Sequence, residues 1–121
     1  MIEVKKEGIL ISKTNFSFEV AGVLNPAVIA VDKTIHVFYR AVAVGNFSSI
    51  GYCKLLSPLV VDHRNESPLL IAENEDEKHG IEDPRIVKID NTFYLTYTAY
   101  DGVNALGALA TSTDLVNWER K

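Results

Sequence analysis

The sequence predicts an all-β chain made of two copies of a four-stranded antiparallel unit, the arrangement of propeller blades. Three observations lead there. Short runs rich in β-branched and aromatic residues recur between turn residues, and no window spaces its apolar side chains as a helix would. The chain also repeats itself. Pro26/Pro84, Val28/Ile86, Val31/Ile89, Asp32/Asp90, Thr34/Thr92, Ile35/Phe93, Val37/Leu95, Tyr39/Tyr97 and Ala41/Ala99 all share one offset of 58 residues. Finally, each copy offers about four strand-length runs, and such units repeating every ~40–50 residues or somewhat more are the signature of blades. A sandwich of duplicated hairpins has the same local pattern and stands as the alternative.

The elements follow in order. Residues 9–12 and 16–20 read as short strands, the latter alternating apolar and polar. Asn25-Pro26 marks a turn or strand entry, followed by an apolar run at 27–31. Residues 32–34 are a polar break of hairpin length before a second strand at 35–40. Gly45-Asn46 sits in a loop over 42–49, and strands are expected at 49–55 and 59–62. Residues 63–80 are polar apart from 68–72. The pattern then returns: 84–89, a break at 90–92, 93–99, a loop holding Asp101-Gly102, then 104–110 and 115–118. The repeat resumes at an offset of 56, pairing Ile50-Gly51 with Leu106-Gly107 and Leu59-Val60 with Leu115-Val116. The two lost residues fall in a loop, where length changes are tolerated. The units cover roughly 22–62 and 80–119.

Composition narrows the function. The 121 residues are 47% hydrophobic and 23% charged, with net charge −4. These are values of an ordinary globular chain, large enough to bury a core. The mild acidity and lack of a basic stripe argue against nucleic acid as a partner. No run approaches the ~18 apolar residues of a membrane span, and the first ten residues lack a signal-peptide core. One cysteine, Cys53, excludes an internal disulfide framework. A cytoplasmic protein without a membrane partner is the expectation. His36, His63 and His79 lack metal-ligand spacing, and no metal or cofactor is expected. Cys53, His36 and Trp118 read as packing residues; His79, near the acids described next, is a candidate substrate contact.

Chemistry concentrates in Gly80-Ile81-Glu82-Asp83-Pro84-Arg85. Pro84 fixes its own φ and is expected to push Asp83 towards an extended backbone. Arg85 stands within reach of the acids or of a bound oxyanion. The stretch fits either a sugar or phosphate site at the mouth of a strand, or an Asp-Pro turn with a surface Glu–Arg pair. The repeat sets Asn25 equivalent to Asp83, each just before a matched proline, so both should face one axial pocket. Arg40, at the end of its strand, could return towards it.

These residues resemble glycoside hydrolase family 130, the β-mannoside phosphorylases and related mannosidases. The carriers are Leu24-Asn25-Pro26-Ala27, Tyr39-Arg40-Ala41, the hexapeptide, and Ala110-Thr111-Ser112-Thr113-Asp114-Leu115 with Trp118. The resemblance runs from about residue 9 to the end of the chain. It implies a five-bladed propeller of which this chain holds two blades, since five such units need roughly 290 residues. The chain is therefore expected to be the N-terminal part of an enzyme whose phosphate-binding residues lie in later blades. If it ended at Lys121, closing a ring would require several copies, a homo-oligomer. Family members often carry an arginine where this sequence has Ser49. By resemblance, Asp83 matches the general acid, and Asn25 and Arg40 match mannose contacts. Glu82 is expected to be structural or to orient Arg85. Glu82, Arg85, Asp101 and Asn104 complete the candidate substrate-binding set. The implied reaction is inverting phosphorolysis of a β-mannoside oligosaccharide, with inorganic phosphate as co-substrate and mannose 1-phosphate as product. The rivals are a β-mannosidase on the same scaffold and a non-catalytic sugar-binding or structural fragment.

Overall fold

The computed structural model describes residues 1–121 and contains eight strands. The first unit comprises β1 (Gly22–Val31), β2 (Thr34–Val42), β3 (Ser48–Ser57) and β4 (Val60–Arg64). The second comprises β5 (Gly80–Ile89), β6 (Thr92–Tyr100), β7 (Ala105–Ser112) and β8 (Glu119–Arg120). Within each unit, neighbours in sequence pair antiparallel. One parallel bridge, Ser48 to Gly80, joins the units. The fold is all-β and propeller-like, with an open sheet.

The predicted repeat is present at the level of backbone register. β1 and β2 turn around Asp32-Lys33, and β5 and β6 around Asp90-Asn91. Both aspartates have φ 53, in the left-handed region that Asp tolerates better than most residues. Each inner strand carries a bulge in the same place. Asn25 and Pro26 together oppose Tyr39, and Asp83 and Pro84 together oppose Tyr97. Proline suits such a position, because the unpaired residue of a bulge needs no ladder N–H.

Two apolar clusters hold the fold. One lies between the units and joins Ala27, Phe38, Ile50 and Leu70 to Ile81, Phe93, Leu95, Tyr97, Ala99, Ala110 and Leu115. Trp118 packs against it, its ring edge-on to Phe38. The other lies on the opposite face of the first unit, where Val37, Tyr39, Ala41, Cys53 and Leu55 are covered by Ile11 and Phe18.

Several predicted elements differ. Residues 9–12 and 16–20 form no strand. The alternation of 16–20 is real, but Ile11 and Phe18 cap the Cys53 face from an irregular segment, and the Glu19 backbone N–H donates back to the Phe16 carbonyl. Residues 115–118 form a turn, because the Asp114 carboxylate accepts the Val116 and Asn117 backbone N–H groups and keeps them from a ladder. The pairing of Ile50 with Leu106 is slipped by one residue. Tyr39 pairs with Gly51, but Tyr97 pairs with Ala108. Since a one-residue slip exchanges faces, Ile50 is fully buried while Leu106 is 47% exposed.

Candidate active site

The two bulges make the site. Asn25 (φ 50) and Asp83 (φ 52) both occupy the left-handed region, not the extended conformation expected before proline. The bulge overrides that preference, and Asn and Asp are the side-chain-bearing residues that best accept it. The change of backbone direction turns the two side chains together. Asn25 Nδ2 donates to Asp83 Oδ1 at 2.6 Å, across 58 residues of sequence. Asp83 Oδ2 has no partner within the chain, and the side chain is 39% exposed.

Arg40 completes the group. It sits opposite Leu24 on β2, next to the bulge. Its Nη2 donates to Glu82 Oε1 at 2.9 Å, its Nε donates to Ser48 Oγ at 2.9 Å, and its Nη1 lies 3.6 Å from Asp83 Oδ1. Arg40 and Glu82 are 15% and 17% exposed, so this ion pair is far better shielded from solvent than an ordinary surface pair. The site thus draws one amide and one guanidinium from the first unit, and two carboxylates from the second.

The structure brings together Asn25, Arg40, Glu82 and Asp83 of the predicted set. Arg85 does not join them. It lies beyond the bulge, opposite Thr96, and donates to the neighbouring Pro84 carbonyl at 2.7 Å. Glu82 therefore holds Arg40 and does not orient Arg85. Asp101 and Asn104 are bonded to each other. Bonds from the Asn104 backbone N–H, the Asn104 amide and the Val103 N–H pull the Asp101 carboxyl down to about 2, the mark of a self-capped loop. His79 is stacked on Phe47 at 5.6 Å.

A second polar motif occurs in both units. Glu19, fully buried, accepts from the Tyr39 hydroxyl at 2.8 Å and pairs with Arg64 at 2.8 Å. Glu77 accepts from the Tyr97 hydroxyl at 2.7 Å and pairs with Arg120 at 3.1 Å. Burial would raise the Glu77 carboxyl, but hydrogen bonds from Tyr97 and Arg120 outweigh it and the net shift is downward. Burial, reinforced by the glutamate, pushes the Tyr97 hydroxyl up to about 12. These triads anchor the segment before each inner strand to the outermost strand of the same unit. Sequence reading missed them, although the signal was there. Glu19 and Glu77 share the offset of Tyr39 and Tyr97, and Arg64 and Arg120 share the later one of 56 residues. Ser48 was missed as well, and no pattern in the sequence marks it.

Comparison with known proteins agrees with this architecture. Residues 3–121 match the family model described as β-1,4-mannooligosaccharide phosphorylase. The chain belongs to glycoside hydrolase family 130. It is 36% identical to a 1,2-β-oligomannan phosphorylase of Thermoanaerobacter sp. (strain X514), over all of this chain and 45% of that protein. It is 35% identical to a β-1,2-mannobiose phosphorylase of the same organism, over 84% of this chain and 39% of that protein. The chain thus spans less than half the length of these relatives. Its fold also matches a solved structure from work on family 130 mannoside phosphorylases that reports hydrolases targeting β-1,2 mannosidic linkages in Candida mannan. That match has a TM-score of 0.81 at 27% identity, over 93% of this chain and 38% of the other.

Proposed function

We propose that the full-length protein carrying this chain is an inverting β-mannoside phosphorylase, with this chain as its N-terminal two blades of five. The observation that carries the reading is the state of Asp83. One carboxylate oxygen is held by Asn25 and flanked by Arg40, and the other is unpartnered at an open rim. A general acid needs that combination: a fixed carboxyl with one oxygen free to carry a proton to substrate.

In the proposed reaction, Asp83 Oδ2 supplies a proton towards the glycosidic oxygen, by way of a sugar hydroxyl. A phosphate oxygen attacks the anomeric carbon from the opposite face, the bond to the leaving sugar breaks, and mannose 1-phosphate results. Phosphate takes the part that water and a second carboxylate play in inverting hydrolases. Glu82 is then free to act as the partner of Arg40 and not as a base. Asn25 and Arg40 contact the mannose ring, the amide both donating and accepting. The relatives named for β-1,2 linkages make β-1,2-mannobiose the first substrate to try. The hydrolases reported alongside the phosphorylases of this family support a second reading, with water as nucleophile.

The experiment is turnover of β-1,2-mannobiose by the full-length protein with and without phosphate, followed by product identification. Phosphate-dependent release of mannose 1-phosphate is expected; phosphate-independent release of mannose alone would replace this reading with the hydrolase. Asp83→Asn should lower kcat by at least ~10²-fold. The loss should shrink for a nitrophenyl mannoside, whose leaving group hardly needs the proton. Near-parental rates for Asp83→Asn on the disaccharide, with an inactive Glu82→Gln, would shift the acid by one residue.

A further inference from the structure

The guanidinium of Arg40 is held at three points, and two of them come from the seam between the units. Its Nη2 goes to Glu82 on β5, and its Nε goes to Ser48 at the start of β3. Ser48 is also the residue whose backbone forms the one parallel bridge to β5, at Gly80. That approach is very close. A Cβ on Gly80 would stand 2.7 Å from Ser48 N and 2.8 Å from Ser48 O, and Gly80 has φ 127. Only glycine lets β3 and β5 meet there. Ser48 itself is 5% exposed, so its hydroxyl faces the protein and not bulk water.

We infer that Ser48 is a positioning residue for the reaction: its hydroxyl fixes the Arg40 guanidinium so that Nη1 is presented beside the Asp83 carboxylate. The inference rests on the proposed role of Arg40 as a sugar contact. An arginine side chain has several rotatable bonds, and one bond to Glu82 leaves it free to pivot about that contact. Fixing Nε as well removes the pivot, because Nε and the Nη groups lie in one rigid plane. Gly80 then sets the distance between the Ser48 anchor and the strand that carries both acids, so the docking of the units is read out at the site.

The test uses the full-length protein and a double-mutant cycle. Ser48→Ala should lower kcat/KM on β-1,2-mannobiose about 10-fold, the scale of losing a hydrogen bond to a charged group. Ser48→Thr, which keeps the hydroxyl, should recover most of that. In an Arg40→Lys background, where there is no Nε–H to hold, Ser48→Ala should cost less than about 2-fold further, the non-additivity of residues that act through one contact. The Arg40 Nε–H resonance should exchange with solvent faster in Ser48→Ala than in the parent. An undiminished cost of Ser48→Ala in the Arg40→Lys background, or unchanged exchange at Arg40 Nε, would overturn the inference. The exchange measurement needs no turnover. If the protein does not act on β-mannosides, the proposed function fails, and Arg40 exchange still decides whether Ser48 holds it.

Discussion

Glu77→Ala probes the largest concentration of buried polar interaction in the second unit. The Glu77 side chain is 1% exposed and serves three donors: Tyr97 Oη at 2.7 Å, Arg120 Nε at 3.1 Å and the Glu73 backbone N–H at 2.9 Å. Truncation strands all three. Arg120 keeps Glu73 Oε2 at 2.9 Å and the Ile71 carbonyl, so its charge is only partly uncompensated. Tyr97, itself buried, has no other acceptor. Breaking a buried pair by removing one partner costs about 3–5 kcal/mol, and the retained Glu73 contact places this substitution at the lower end. With a urea m-value of about 1–3 kcal/mol/M, the midpoint should fall by at least ~1 M. Glu77→Gln, which still accepts from Tyr97, should lose less. The pH dependence has a definite sign. The folded carboxyl is lowered below its ordinary value of 4.5. The stability Glu77 contributes is therefore complete above that value and is lost as the pH falls through the lower, folded one. The gap between parent and Glu77→Gln should close with acidification below pH 4.5. A midpoint within experimental error of the parent for Glu77→Ala, or a gap that widens with acid, would refute the account of the triad.

Three other outcomes are expected. Asn25→Ala in the full-length protein should raise KM for the mannoside more than it lowers kcat, with the fold kept; steady-state kinetics beside a thermal melt checks both. Gly51→Ala should destabilise by about 1–3 kcal/mol through overpacking, because its Cβ would stand 2.8 Å from the Tyr39 hydroxyl, which Glu19 and Arg64 hold in place. Urea unfolding measures this, and a neutral result would mean that the Tyr39 ring can move. For the 121-residue chain by itself, light scattering should detect self-association. Its open second-unit face and apolar residues such as Leu106, Val87 and Ile89 lack the covering a further unit would bring.

Much was written in the sequence. The offset of 58 residues survives as two hairpins in the same register, with Asp32 and Asp90 at the same positive φ. Such features are local: a two-residue turn and an alternating strand are specified by the residues that form them. Asn25 and Asp83 were legible as a pair for the same reason, since a repeat equates positions without knowing where they lie, whereas Arg40, whose counterpart is Thr98, was marked by its place at a strand end and by the family resemblance. What the sequence could not reveal depends on which partners each residue meets once strands and loops are in place. Asp83 before a proline reads as extended, yet the bulge opposite Tyr97 turns it left-handed and towards Asn25. Glu82 has two arginines to choose from, Arg85 three residues away and Arg40 a unit away, and the packing of the two units brings it to Arg40, while Arg85, beyond the bulge, bonds the Pro84 carbonyl. Asp101 and Asn104 read as sugar contacts but spend their hydrogen bonds on their own loop. Ser48 has no distinguishing neighbour in sequence, and its part comes from the bare backbone of Gly80 lying against it. Local backbone preferences belong to the chain, whereas the partner of a charged side chain is decided by the strand that packs beside it.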